Sequence, residues 1–216
     1  VGDTFRHVVQ QLKLGRTVAY GFLGVAPSDA FGDEREGVQI VNVVRGTPAA
    51  TSDIRVGDYV THVGGTPLTG AGDLIQAVSS HPAGQTIPIR LVRRDRPLVR
   101  QVKLSKKNVR SPRPTIATNV ERWRGMTVDY TTAHPRFVEL SGDADPEGCV
   151  VVRDIVPEST AWQAGLRSGL FISHVEGRRV STPEEFYRVA ARQEDAVQLN
   201  LASQFNRLEP IVVPAE

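Results

Sequence analysis

The residues best placed to do chemistry form a short glycine-bracketed run, Gly21-Phe22-Leu23-Gly24-Val25. A glycine-rich turn entering a strand can present successive backbone N–H groups in a concave nest, which holds an anion the size of a carboxylate. An exposed strand edge beyond the nest can pair with an incoming extended peptide, main-chain bonds giving affinity and side-chain pockets selectivity. Phe22, Leu23, Gly24 and Val25 would form the loop and first strand, while Ile75 and Val78 would wall the groove from a helix. The plainer alternative makes Gly21 and Gly24 turn glycines and Ile75 a core residue. A β-branched residue at Gly24 is expected to crowd the nest and weaken binding.

Covalent and metal chemistry find less material. A Ser-His-Asp site needs a glycine-rich oxyanion turn around its serine. Ser141-Gly142-Asp143 comes nearest to that pattern but lacks a preceding glycine. His62 and His174 occupy matching strands of a repeat, which favours a structural role used twice. The single Cys149 cannot close an intrachain disulfide, and no Cys/His cluster accompanies it. No catalytic residue, metal site or cofactor is expected.

Composition excludes other classes. The 216 residues are 40% hydrophobic and 6% aromatic with a net charge of +2, unlike a disordered or collagen-like chain. Between Arg90 and Arg113 stand ten basic residues and one acid, without an aromatic to stack on bases. That run is expected to be solvated rather than to bind nucleic acid. No apolar run approaches the ~20 residues of a membrane helix, and none is expected to span one. The first residue is Val1, with no leader pattern after it, and the chain is expected to be part of a longer protein.

The elements that must position the loop are repeated. At an offset of 112, Val43–Ala49 meets Ile155–Ala161, Ile54-Arg55-Val56-Gly57 meets Leu166-Arg167-Ser168-Gly169, and Tyr59–Gly65 meets Phe171–Gly177. So long a period makes each copy a complete domain. Within a copy, Val38–Val43 alternates as a half-buried strand, Tyr59–Val63 is a second, and Asp73–Ser80 has helical spacing. Ile87–Val92 and Leu98–Leu104 flank a turn as a hairpin. Five or six short strands with two helices predict a small, partly open barrel or sandwich, mainly β with short helices. Phe5, Val8, Val9 and Leu12 predict an amphipathic helix with no partner in the repeat.

Gly21–Val25, the stretch Gly46-Thr47-Pro48-Ala49-Ala50 through Ile54–Asp58, and Ala83-Gly84-Gln85-Thr86 before a strand together resemble a PDZ domain. A helix and Gly15-Arg16 ahead of the loop resemble, more narrowly, the C-terminal part of HtrA/Deg-type serine proteases. The resemblance implies residues 1–15 as the remnant of a protease domain, PDZ domains at 16–104 and 122–203, a linker at 105–121 and a tail at 204–216. It implies capture of C-termini or exposed apolar segments of unfolded proteins, with the protease domain of the same polypeptide as partner, in the bacterial periplasm. It leaves open a homo-oligomer, a purely structural PDZ pair and a stand-alone adaptor.

The second copy departs from this pattern. Aligning Val128 with Val25 sets Arg124-Gly125-Met126-Thr127 opposite Gly21-Phe22-Leu23-Gly24, so Thr127 stands for the second loop glycine. The insertion Ser141–Glu147 adds three acids, which would repel a carboxylate terminus. A second groove would comprise Gly125, Met126, Thr127, Val128 and Tyr187, with Met126, Val128 and Tyr187 expected to meet another protein surface or the linker.

Overall fold

The computed structural model describes residues 19–28, 36–107, 121–134, 137, 148–202 and 210–215. The expected helix Phe5–Leu12, most of the expected linker and the acidic stretch Ser141–Glu147 lie outside the described residues. The chain divides into two units, Val1–Lys107 and Asn108–Glu216.

In the first unit, strands β1 (Gly21–Phe22), β2 (Val25–Ser28) and β3 (Val38–Val43) precede a short helix α1 (Pro48–Thr51). Strands β4 (Tyr59–Val63) and β5 (Thr66–Pro67), helix α2 (Ala71–Ser79) and strands β6 (Thr86–Arg93), β7 (Arg96–Lys103) and β8 (Ser105–Lys106) follow. The antiparallel order β2-β3-β4-β6-β7 leaves β2 at one edge, with β5 on β4 and a separate β1–β8 pair. In β6, Ile87, Ile89 and Leu91 are buried and alternate with exposed Thr86, Pro88 and Arg90, as one buried sheet face demands. Arg94 and Asp95 both take positive φ, the geometry of a two-residue hairpin turn that keeps the twist of β6 and β7. Leu74, Ala77 and Val78 of α2 close the open sheet over Val38, Ile40, Val60 and Ile89.

Charge pins the turn that precedes β4. The Arg93 guanidinium donates through Nε to Asp58 Oδ1 at 2.7 Å and through Nη2 to Oδ2 at 2.9 Å, a two-pronged pair on a buried carboxylate. Asp53 gathers Arg100, Arg55 and Arg93, and hydrogen bonds from Arg100 first and Arg55 next hold its carboxyl well below the usual range.

The second unit repeats the plan with β9 (Met126–Tyr130), β10 (Val150–Ile155), α3 (Thr160–Gln163), β11 (Phe171–Val175) and β12 (Arg178–Arg179). Helix α4 (Pro183–Ala190) and strands β13 (Val197–Leu201) and β14 (Ile211–Val213) complete it. The order β9-β10-β11-β13-β14 matches the first sheet and again puts the loop-following strand at an edge. Both sheets are open, so the fold is mainly β with PDZ-like open sheets capped by short helices. His62 and His174 repeat one local contact, Nδ1 lying 3.1 Å from Thr61 Oγ1 and 3.0 Å from Ser173 Oγ.

Two boundaries differ from expectation. Ser105 and Lys106, expected in the linker, pair as β8 with Phe22 and Gly21, because β1 needs a partner for its backbone groups. The expected tail contains β14, whose Ile211, Val212 and Val213 pair with Leu199, Gln198 and Val197, and Val213 is fully buried. Among the described residues, no helix is long and apolar enough to cross a membrane.

Candidate functional site

The first unit builds its loop from the backbone outward. Leu23 is buried in the core and its carbonyl accepts from Ala49 N–H at 2.9 Å; the Gly24 carbonyl accepts from Val44 N–H at 2.9 Å. The ladder would next return the Gly24 N–H to the Val44 carbonyl. That acceptor is engaged by the Thr47 hydroxyl, which donates to it at 2.6 Å. Among the described residues, the N–H groups of Leu23 and Gly24 donate to no acceptor. Gly24 has φ +87°, and Leu23 before it lies outside the positive-φ region. Successive residues of opposite φ sign can turn their N–H groups to one side, the arrangement that an anion nest uses.

Both glycines of the loop are fixed by packing. A Cβ on Gly21 would lie 2.7 Å from the Val78 carbonyl and 2.8 Å from that of His81, at the end of α2. A Cβ on Gly24 would lie 2.2 Å from Thr47 Cβ. The penalty for a side chain at Gly24 therefore falls against Thr47, on the side of the core, rather than in the nest where the sequence reading put it.

Beyond Gly24 runs β2, whose outer side carries no other strand among the described residues. In an antiparallel ladder alternate residues turn their N–H and C=O groups toward the partner strand. Gly24 faces β3 through Val44, so Val25 and Pro27 face away from it, toward the open edge. Ile75 is 51% exposed on α2 beside this edge, whereas Val78 is 4% exposed and belongs to the core. Phe22 sits in β1, where its carbonyl accepts from the Ser105 hydroxyl at 3.3 Å. The sequence-predicted residues thus separate into two amides without an acceptor among the described residues (Leu23, Gly24), the outer side of β2 (Val25), an exposed helix side chain next to it (Ile75) and residues held by packing or pairing (Gly21, Phe22, Val78).

The second unit's loop takes a different shape, and the correspondence expected from sequence is off by two residues. Val156 N–H donates to the Gly125 carbonyl at 2.8 Å and Ala161 N–H to the Arg124 carbonyl at 3.1 Å, reproducing the bonds made by Val44 and Ala49. A Cβ on Gly125 would lie 2.1 Å from Ser159 Cβ, and Ser159 occupies the Thr47 position of the repeat. Gly125 therefore corresponds to Gly24, Arg124 to Leu23 and Met126 to Val25. The loop glycine is present, and Thr127 lies inside β9 opposite Asp154.

Here the edge is already taken. Arg124 and Gly125 both have positive φ, 48° and 81°, which makes Trp123–Met126 a two-residue hairpin turn instead of a nest. Trp123 and Met126 exchange both backbone hydrogen bonds at 2.9 Å, occupying the outward N–H and C=O of Met126. The next outward N–H, on Val128, donates to the Tyr187 hydroxyl at 3.1 Å, and that hydroxyl donates to the Glu121 carbonyl at 2.8 Å. The Tyr130 hydroxyl donates to Glu184 at 3.1 Å, a second bridge from β9 to α4. Burial is the largest cause raising both the Tyr130 and Tyr187 hydroxyls above the usual tyrosine range. Met126 thus meets Trp123, and Val128 reaches Glu121 through the Tyr187 hydroxyl, so these residues meet their own chain where the expected linker ends and the expected second domain begins.

Arg124 secures this closure. Its guanidinium donates to the carbonyls of Val213 at 2.6 Å, Pro214 at 2.7 Å, Gln193 at 3.4 Å and Asp195. It also lies 4.7 Å from the Trp123 ring centroid, and Trp123 packs edge-on against Phe186. The sequence reading named neither Trp123 nor Glu184 in the site and gave Arg124 no role. Tyr187 it did name, from its repeat position opposite Ile75.

The PDZ domain family model matches residues 21–104. A probable periplasmic serine endoprotease DegP-like from Pseudomonas putida (strain GB-1) is 26% identical over 204 residues, 87% of this chain and 41% of that protein. The serine protease Do-like HtrA of Lactococcus lactis subsp. cremoris is 39% identical over 70 residues, 32% of this chain and 17% of that protein. A crystal structure of a serine endoprotease from Yersinia pestis aligns at 27% identity and a TM-score of 0.38, over 47% of this chain and 35% of that one. The first unit is a PDZ domain. The chain is related to the PDZ-bearing region of HtrA/DegP-type serine proteases and spans about two fifths of the length of its DegP-like relatives.

Proposed function

We propose that the first unit captures protein C-termini, with the carboxylate in the nest of Leu23 and Gly24 and the chain running back along β2. The observation that carries this reading is a pair of amides that, among the described residues, find no acceptor, immediately before a strand that among them has no partner on its outer side. With the terminus at the start of β2, the ligand must run antiparallel to that strand, adding a strand to the sheet. Its last side chain lies between Val25 and Ile75. The second unit, its edge occupied by Trp123 and Tyr187, takes up no free terminus and acts through contacts. The names of the relatives support a parent that is a serine protease, periplasmic in the DegP-like relatives, and in such a parent this region would hold substrates for a protease domain. The residues of this chain bind and do not cleave.

Calorimetric titration of the chain with a peptide ending in an apolar residue, as free acid and as C-terminal amide, tests the nest. Hydrogen bonds to a charged group contribute about 1.5–3 kcal/mol each, so the amide should bind at least ~10-fold more weakly. Equal affinity of the two forms would remove the nest from the account.

A further inference from the structure

We propose that Pro27 removes one rung from the ladder between β2 and a bound terminus, so that the first unit grips the last residue by its backbone and the third-from-last by half as many bonds. The inference rests on the capture reading above and concerns which ligand positions it selects. In the antiparallel arrangement, Val25 faces the ligand's last residue: its carbonyl accepts that residue's N–H, and its own N–H joins the nest. The next outward position is Pro27. It faces the third-from-last residue, whose N–H finds the Pro27 carbonyl but whose C=O finds no donor, because proline has no N–H.

The orientation of this position is established by the second unit. Pro27 pairs with Ile40 just past a register shift, and Val128 pairs with Val152 past the same shift, so the two positions correspond. Val128 has an N–H, and it points out of the sheet to the Tyr187 hydroxyl at 3.1 Å. An amide at position 27 would point the same way, into the strand a ligand would occupy. Ile75, the counterpart of Tyr187, has no hydroxyl to bridge the gap and stands half exposed. A proline whose missing N–H faces the open side leaves the β2–β3 ladder intact, which is where strands tolerate it. The groove therefore reads the carboxylate and last residue strictly and accepts varied sequence, or a bent chain, from the third-from-last residue on.

The test uses the whole chain and two ligands: a free-acid peptide, and the same peptide with a trans-alkene in place of the peptide bond after the third-from-last residue. The alkene deletes that residue's carbonyl and an N–H that faces away from β2. On the unaltered chain the two ligands should bind within about twofold. Pro27→Ala should bind the parent peptide about fivefold more tightly, the effect of one net hydrogen bond, and the alkene ligand should lose that gain. An alkene ligand that binds the unaltered chain fivefold more weakly would overturn the proposal. So would a Pro27→Ala chain that self-associates through β2, or binds no more tightly, because either assigns the proline to guarding the edge alone. Failure of the capture reading shows separately, as equal binding of free-acid and amidated peptides to the unaltered chain.

Discussion

Gly24→Val should destabilise the first unit by about 3–5 kcal/mol and abolish its peptide binding. Two terms combine. A β-branched residue held at φ +87° costs on the order of 1–2 kcal/mol, and its Cβ would overlap the Thr47 side chain, 2.2 Å away in a fully buried site. Thr47 cannot yield freely, because its hydroxyl holds the Val44 carbonyl. In urea, the first unit's transition should move to lower denaturant while the second unit's stays in place. Adding Thr47→Ala should recover only part of the loss, since the backbone strain remains. A Gly24→Val chain with an unchanged first transition and merely weakened binding would restore the idea that the side chain enters the nest.

Arg124→Ala should cost the second unit about 3 kcal/mol. Four carbonyls, two of them at β14 and two in the turn after α4, converge on one largely buried guanidinium. Removing it orphans acceptors that water reaches poorly, the costly way to lose a hydrogen bond. Arg124→Leu, which installs the first unit's residue, should be no better, because leucine offers the carbonyls nothing. Amide exchange would show the loss as faster opening of β14 and of Trp123–Met126, with β3 and β4 unaffected. Wild-type exchange in Val212 and Val213 of the variant would show that β14 docks without the arginine.

The difference between the two loops was only half legible in the sequence. The repeat, the strands and the glycine turn of the first copy follow from spacing and residue type, since Gly24 and the turn at Gly46-Thr47-Pro48 have few alternatives. The second loop was placed two residues out of register because Met126 and Val128 are both apolar. A slip of two residues in a strand keeps every side chain on its own face, so alternation cannot detect it. The hydroxyl pair Thr47 and Ser159, already matched by the repeat, carries the information that corrects it. From sequence, Thr127 and the acidic insertion are what set the second unit apart from the first. The structure gives other grounds, the hairpin at Arg124-Gly125 and the hydroxyl of Tyr187. The expected exposed edge and the groove position of Tyr187 carry no sign that Pro27 faces outward or that the Tyr187 hydroxyl caps the edge, because which backbone groups face outward is set by the ladder register.

The most direct measurement is a chemical-shift titration of the whole chain with one free-acid peptide, repeated with its C-terminal amide. The account predicts saturable shifts at Leu23, Gly24, Val25 and Ile75 for the acid and far smaller ones for the amide. Trp123–Val128 and Tyr187 should stay still in both. Saturable shifts at Met126, Val128 and Tyr187 over the same peptide concentrations, or equal responses of Leu23 and Gly24 to acid and amide, would contradict it.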